Sequence, residues 1–216
     1  MSLHRAIEAD WDGLSPRQLN FWQRLAVKTS GAVTPGNIVT LIGGLIVFGG
    51  LYDIYHGHFM TGIIIVLVGR GADVLDGVVA EATATKSPTG EAFDATMDKI
   101  LIALAIIVLL GKQLLPLIVG LVMLLQAGYN SVLSLIAKYR PYVIKLHPSF
   151  SGKLSAFFEW LCVGLYVLTA QTASHGQSKN RIALIFAGLS FVVFCILAGM
   201  SSIDYSRQFY KQSRHK

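Results

Sequence analysis

The stretch Asp73-Val-Leu-Asp76-Gly77-Val-Val-Ala80, followed after nine residues by Gly90-Glu-Ala-Phe-Asp94-Ala-Thr-Met-Asp98, places four aspartates within or beside long apolar runs. Six of the chain's twelve acidic side chains fall between Asp73 and Asp98. A single aspartate at the centre of a membrane helix costs about 2.5 to 3.5 kcal/mol. The cluster therefore needs a compensating cation or a water-filled site, and it is the strongest indication of function.

The composition indicates an integral membrane protein. Hydrophobic residues make up 53% of the chain and charged residues 14%, with a mean hydropathy of +0.57, whereas about a quarter of the residues of an average soluble domain are charged. Each apolar run is near the roughly 20 residues that a spanning helix needs. The runs are 38–55, 60–80, 92–110, 114–137, 154–170 and 182–203. The predicted fold is all-α, with six transmembrane helices and no soluble domain between them.

A seventh helix is predicted before the first span. Ser15-Pro16 resembles an N-cap followed by proline at the first helical position. The residues that follow alternate at helical spacing between an apolar and a basic face, namely Leu19, Trp22, Leu25 and Ala26 against Arg17, Arg24 and Lys28. Such an amphipathic helix lies in the headgroup layer or packs on the cytoplasmic ends of the bundle. The predicted organisation is a juxtamembrane segment at 1–33, a transmembrane domain at 34–205 and a basic tail at 206–216.

The positive charges predict the orientation in the membrane. With the N-terminus inside, the cytoplasmic segments hold thirteen Lys and Arg residues and the outer loops three, which is the bias that cytoplasmic loops show. Both termini and the site are therefore predicted to face the cytoplasm, most simply at the cell's inner membrane. The basic tail suits anionic membrane lipids, and nucleic-acid binding is excluded because no soluble domain exists to carry it.

The residues alone predict an oxygen-rich site. Asp73, Asp76 and Gly77 share one face of the second span, and an antiparallel partner would bring Asp94 and Asp98 opposite to them. Crowded carboxylates suit hard cations such as Mg²⁺, Mn²⁺ or Ca²⁺, and two bridged ions would fit. A glycine on each face, Gly77 and Gly90, lets a bulky ligand such as a nucleotide approach the backbone. The helix N-terminus at Thr34-Pro35-Gly36-Asn37 favours phosphate, although it also serves as an ordinary cap.

Three interpretations of this cluster remain open at this point. They are metal-dependent catalysis, cation transport and a structural salt-bridge cluster. A transporter should keep polar residues along a path to the outer face, yet the outward halves of the third to sixth spans are almost wholly apolar. This pattern favours a site near the inner face.

The pattern Asp73-x2-Asp76-Gly77-x2-Ala80-x9-Gly90-x3-Asp94-x3-Asp98 resembles the signature of the CDP-alcohol phosphotransferase family, membrane enzymes of phospholipid synthesis. Thr34-Pro35-Gly36-Asn37 is similar to the family's Thr-Pro-Asn opening of the first span, with Gly36 as an insertion. Ser151-Gly152-Lys153 resembles a Gly-Lys motif that opens the fifth span in many members. The Gly-Lys element and the Ser201-to-Tyr205 segment look most like the phosphatidylglycerophosphate synthase branch.

The resemblance implies transfer of a substituted phosphate group from a CDP-linked lipid, CDP-diacylglycerol, to a small polar alcohol, with release of CMP. Glycerol 3-phosphate is the first choice of acceptor; the alternatives are inositol phosphate, serine, or a CDP-amino-alcohol donor with diacylglycerol. It also implies two divalent cations, Mg²⁺ or Mn²⁺, with Ca²⁺ as a substitute or inhibitor, and a homodimer.

The resemblance also assigns roles to individual residues. Asp73, Asp76, Asp94 and Asp98 would be metal ligands, and Asp98 would also be the general base. Residues expected to bind the donor are Thr34, Pro35, Asn37, Gly77, Ala80, Lys86 and Gly90. A cationic group expected to bind a phosphorylated acceptor comprises Lys138, Arg140, Lys145 and Lys153; its other interpretation is the positive-inside bias itself.

The chain departs from the family pattern at one position. Glu81 stands directly after Ala80, where the family usually has arginine. A negative charge near the expected diphosphate would weaken donor binding unless Arg70, Lys86 or Lys153 compensates.

Overall fold

The computed structural model of the chain describes residues 19–139, 149–174 and 181–214, with a few helical side chains, that of Asp73 among them, outside the description. Every regular element within these ranges is an α-helix. In chain order the helices are α1 (Phe21–Lys28), α2 (Pro35–Tyr55), α3 (Phe59–Ala82), α4 (Pro88–Gly111), α5 (Leu117–Tyr139), α6 (Phe150–Ser174) and α7 (Arg181–Arg214). The prediction of an all-helical fold is confirmed.

Each of the six apolar runs coincides with one of the helices α2 to α7. Among the described residues, three stretches are long and apolar enough to cross a membrane, namely Pro35–Tyr55, Phe150–Gln171 and Arg181–Lys211. The aspartates lower the apolar character of α3 and α4. The long apolar helices indicate a membrane protein; the count of six spans stays a prediction.

The N-terminal helix α1 begins later than the sequence suggested. Asn20 caps it by accepting a hydrogen bond from the Gln23 backbone N–H at 2.9 Å, while the Gln23 side chain accepts from the Asn20 backbone at 3.0 Å. This reciprocal pair satisfies two amide groups at the start of the helix. The predicted cap at Ser15-Pro16 lies outside the described residues, and the location of α1 in the headgroup layer stays a prediction.

The chain forms two compact units, Met1–Ile102 and Ala103–Lys216, with the boundary inside α4. In the first unit, α2 and α3 pack antiparallel along glycines seven residues apart. A Cβ atom at Gly50 would lie 2.7 Å from the Gly62 carbonyl oxygen, and one at Gly69 would lie 2.7 Å from the Gly43 carbonyl oxygen. Small residues let membrane helices approach this closely. The third step of this row brings Gly36 against Ala80 and the Asp76 backbone, with a Cβ at Gly36 about 3.0 Å from the Ala80 Cβ.

The first half of α4 packs beside α2 in the same unit. Asn37 of α2 contacts Gly90, where a Cβ atom would lie 2.9 Å from the Asn37 Oδ1. Seven residues further along both helices, the Met97 side chain fills the space beside Gly44. Because contacts advance in the same direction along both helices, α2 and α4 run parallel, and the loop between α3 and α4 returns the chain to the N-terminal end of α2.

The second unit is built around α7. Helix α6 runs antiparallel to it, since Gly152 meets Ser201 at one end and the Cys162 thiol reaches the Ala187 carbonyl oxygen at 3.5 Å further along. Helix α5 runs parallel to α7, and Gln126 of α5 donates to the Ser202 hydroxyl at 2.9 Å. Helix α7 continues through residues 206–214, so the described part of the predicted tail is helical.

Candidate functional site

Asp76 is the buried carboxylate of the candidate site. Its side chain lies on α3 and is only 7% exposed. The Thr40 hydroxyl on α2 donates a hydrogen bond to its Oδ2 atom. The Oδ1 atom accepts no hydrogen bond from any side chain that the structure describes, so one oxygen of this carboxylate remains available for a ligand.

Asp98 is paired with a cation from the neighbouring helix. The Arg70 guanidinium on α3 donates through Nη1 to the Asp98 Oδ1 atom on α4, with the two side chains 23% and 37% exposed. The Asp98 Oδ2 atom has no partner within the described part of the chain. This ion pair joins α3 to α4 at one point, and the meeting of the two aspartate faces stays a prediction.

The other two aspartates of the pattern are Asp94 and Asp73. Asp94 is one helical turn before Asp98 on α4, and its Oδ1 atom is buried. Asp73 lies on α3, but its side chain is outside the description. Among the described side chains no three His, Cys, Asp or Glu residues are close enough together to hold one metal ion. Whether all four aspartates converge stays a prediction.

The donor set nevertheless suits divalent cations chemically. Asp76 and Asp98 each keep a carboxylate oxygen without a described partner, and hard cations such as Mg²⁺ and Mn²⁺ prefer oxygen ligands. The Arg70 guanidinium neutralises one of these carboxylates in this arrangement. The oxygen donors are therefore of the kind that divalent cations prefer. In this structure one of them, Asp98, is paired with Arg70.

Two helix N-termini meet at the same end of the first unit. Thr34 caps α2 by accepting from the Asn37 N–H at 3.1 Å, and Ser87 accepts from the Gly90 N–H at 3.0 Å at the start of α4. The Ser87 hydroxyl also donates to the Gly31 carbonyl oxygen at 3.3 Å, which ties the two termini together. Helix N-termini favour anions, so this end of the unit suits phosphate.

The structure gives several of the predicted donor-binding residues a packing role. The Asn37 amide donates to the Gly31 and Ala32 carbonyl oxygens at 3.2 and 2.9 Å, and Gly90 makes room for the Asn37 side chain. Pro35 occupies the first turn of α2. These contacts explain why the residues are needed here even without a ligand; their part in donor binding stays a prediction.

Gly77 and Ala80 differ in their surroundings. A Cβ atom at Gly77 would meet no other atom within 4 Å, so the surface of α3 is open there, as a bulky ligand would require. Ala80 packs against Gly36 of α2. The open surface at Gly77 is therefore next in sequence to the buried Asp76.

Three cations were considered as substitutes for the arginine that the family usually has at position 81, namely Arg70, Lys86 and Lys153. Glu81 is exposed. Lys86 pairs with Glu91 at 3.6 Å, with both side chains largely exposed, and Arg70 pairs with Asp98. Two of the three cations considered as substitutes are therefore engaged by other carboxylates.

The residues predicted to bind the acceptor are described only in part. Lys153 is exposed in the first turn of α6. Arg140 and Lys145 lie outside the described residues, as does the Lys138 side chain. Their role in acceptor binding stays a prediction.

Sequence reasoning gave no role to Thr40 as a partner of Asp76, and it considered Arg70 only as a substitute for the arginine missing at position 81. It also overlooked Glu159, a carboxylate only 9% exposed inside α6. A lone acidic residue in an apolar run is the signal that could have identified Glu159.

The fold and the site define a helical membrane protein. Its helices α3 and α4 carry aspartates at helical spacing, and the N-termini of α2 and α4 meet at an end of the first unit that favours anions. The sequence profile of the CDP-alcohol phosphatidyltransferase family matches residues 33–198, most of the chain, and the protein belongs to this family. No curated protein and no solved structure matches the chain significantly. Family membership implies transfer of a phosphatidyl group from a CDP-alcohol to an alcohol, which confirms the resemblance drawn from the aspartate pattern.

Proposed function

We propose that this protein transfers the phosphatidyl group of CDP-diacylglycerol to the hydroxyl of glycerol 3-phosphate and releases CMP. The reaction depends on two divalent cations, Mg²⁺ or Mn²⁺. The enzyme works as a homodimer in the inner membrane with its site toward the cytoplasm. The observation that carries the proposal is the pair Asp76 and Asp98, each with a carboxylate oxygen that no described side chain occupies.

Four carboxylates, Asp73, Asp76, Asp94 and Asp98, would hold the cations. When bound, the cations offset the negative charge of the diphosphate and of the departing CMP. The convergent N-termini of α2 and α4 support the same assignment, because their amide groups and partial positive charge favour the phosphates of a nucleotide. The open surface at Gly77 leaves room for the donor beside Asp76.

The chemical step is a direct displacement at phosphorus. The acceptor hydroxyl attacks the phosphorus that bears diacylglycerol, a new P–O bond forms, and the P–O bond to CMP breaks. CMP leaves with the bridging oxygen. The proton of the hydroxyl passes to the Oδ2 atom of Asp98, which has no partner among the described residues and therefore acts as general base. Most of the rate enhancement in such a reaction comes from positioning and electrostatic stabilisation.

The acceptor is proposed from charge alone. Glycerol 3-phosphate carries a phosphate that a cluster of basic side chains would bind, and the candidate cluster is Lys138, Arg140, Lys145 and Lys153. Inositol phosphate would use the same cluster. Serine carries no phosphate and would gain less from such a cluster, so the choice between phosphorylated and unphosphorylated acceptors tests this part of the proposal.

The test is CMP release by the purified full-length protein in detergent with CDP-diacylglycerol. We expect release only when Mg²⁺ or Mn²⁺ and an acceptor are both present, with glycerol 3-phosphate ahead of inositol phosphate and serine. Asp98→Asn should lower turnover at least about a hundredfold, in the range of general-base contributions. Asp53→Asn is the matched control, since Asp53 lies outside the motif near His58. Metal-independent CMP release, or full turnover of Asp98→Asn, contradicts the proposal.

A further inference from the structure

Arg70 is a partly buried cation that pairs with Asp98, one of the four carboxylates that the proposed function uses for metal binding. Its side chain is 23% exposed and donates to Asp98 across the α3–α4 pair. The guanidinium carries its charge at all relevant pH values. The seven positions of the aspartate pattern do not include position 70, so the pattern itself gives Arg70 no role.

The location of this charge has two physical consequences. Carboxylates gathered without a cation repel one another, so a permanent positive charge stabilises the group when no metal ion is bound. The same charge repels an incoming dication and occupies the Asp98 Oδ1 atom, one of the oxygens that such an ion would use. Arg70 therefore stabilises the metal-free site and weakens metal binding.

Building on the proposed function, we propose that Arg70 is the internal counter-ion of the site, which holds Asp98 until divalent cations displace it. The metal affinity of the protein is then set by a competition between Arg70 and the ion for the same carboxylate. Arg70 is a positioning residue in this account, because it acts through Asp98 and not on the substrate.

A purely structural ion pair makes different predictions. If Arg70 only joined α3 to α4, its removal would destabilise the protein with and without metal, and metal affinity would stay constant or fall. Competition predicts that removal destabilises the metal-free protein and tightens metal binding. The sign of the change in affinity therefore separates the two accounts.

The experiment measures Mn²⁺ binding to full-length protein in detergent, from the electron paramagnetic resonance signal of free Mn²⁺, without substrate. We expect Arg70→Gln to bind Mn²⁺ roughly tenfold more tightly than the wild type, because a unit charge near the ion is removed. Arg207→Gln is the matched control, since Arg207 is an exposed arginine on α7, and it should leave the affinity unchanged. Thermal unfolding should show a lower midpoint for metal-free Arg70→Gln that Mn²⁺ restores.

Arg70→Lys keeps the charge but not the planar fork of donors, so its affinity should lie between those of the wild type and Arg70→Gln. This variant decides the matter if Arg70→Gln does not fold. Equal or weaker Mn²⁺ binding by the variants, or no binding by any of them, overturns the inference. CMP release by the wild type is measured separately: its absence, beside tighter Mn²⁺ binding by the variants, would contradict the proposed reaction and leave the counter-ion role intact.

Discussion

Thr40 and Asp76 join α2 to α3 through a hydrogen bond in which the threonine hydroxyl donates to the carboxylate. Both side chains are buried, at 4% and 7% exposure. A buried carboxylate needs donors to offset its lost hydration; Thr40 supplies one, and the second oxygen has no side-chain donor in the part of the chain that the structure describes. This bond orients a predicted metal ligand from outside the helix that carries it.

The first prediction concerns this bond. Thr40→Val removes the hydroxyl at nearly constant volume and leaves the Asp76 carboxylate without its donor, which should destabilise the metal-free protein by about 1 to 3 kcal/mol. Thermal unfolding in detergent checks the change in stability. Thr96→Val is the control, because the Thr96 hydroxyl bonds only within its own helix, to the Ala92 carbonyl oxygen at 2.7 Å. Equal stability of the two variants would show that the bond to Asp76 contributes little.

A second prediction tests the close packing of α2 and α3. Gly50→Ala places a methyl group 2.7 Å from the Gly62 carbonyl oxygen, and overpacking of this kind costs about 1 to 3 kcal/mol. The neighbouring Gly49→Ala has no atom within 4 Å of the new methyl group and should be neutral or slightly stabilising, since alanine favours the helix. Unfolding midpoints of the two variants give the comparison. A Gly50→Ala protein as stable as Gly49→Ala would contradict the packing described here.

A third prediction tests whether the open surface of α3 at Gly77 is the place where the donor binds. Gly77→Ala and Gly71→Ala both add a methyl group where no atom lies within 4 Å, so both proteins should fold normally. If the donor lies against Gly77, its methyl group overpacks the complex by about 1 to 3 kcal/mol. We expect the KM for CDP-diacylglycerol to rise on the order of tenfold in Gly77→Ala only. Similar KM values for both variants would mean that the donor binds elsewhere.

A fourth prediction addresses the departure from the family pattern. Glu81 is exposed, and Lys86 pairs with Glu91 instead. Glu81→Arg should lower the KM for CDP-diacylglycerol by roughly twofold to thirtyfold, given that exposed charge pairs are worth about 0.2 to 1 kcal/mol each and the substitution reverses the sign. Glu81→Gln should have about half of that effect on the free-energy scale. Unchanged KM values in both variants would show that Glu81 does not face the donor.

Local patterns in the sequence predicted the helices well. Runs of apolar residues near the length of a membrane span located α2 to α7, since hydrophobic length is a property of consecutive residues. The start of α1 was missed because its cap is Asn20, within a stretch where Ser15-Pro16 gave a stronger local signal. Caps depend on the conformation of a few residues, which competing signals obscure.

The partners within the site could not be predicted in the same way. Arg70 and Asp98 are far apart in sequence, as are Thr40 and Asp76, and helical spacing specifies a face without specifying which residue of another helix lies opposite. The spacing of Gly36, Gly43 and Gly50 was visible in the sequence. It would have indicated the contact face of α2, because a seven-residue step keeps one face in register along a pair of helices.

That seven-residue row also limits how α2 and α3 can slide. A shift by fewer than seven residues would place larger side chains, such as those of Thr40 and Val47, where only glycine hydrogen atoms fit. The nearest alternative register is therefore a full step of about 10.5 Å away. The corresponding row on α3 is Gly62, Gly69 and Asp76, and such a step would carry the carboxylate toward Gly43, away from Thr40. The glycines thus set the position of Asp76 along the helix axis relative to the first turn of α2. The carboxylate stays at this depth without a covalent cross-link between the helices.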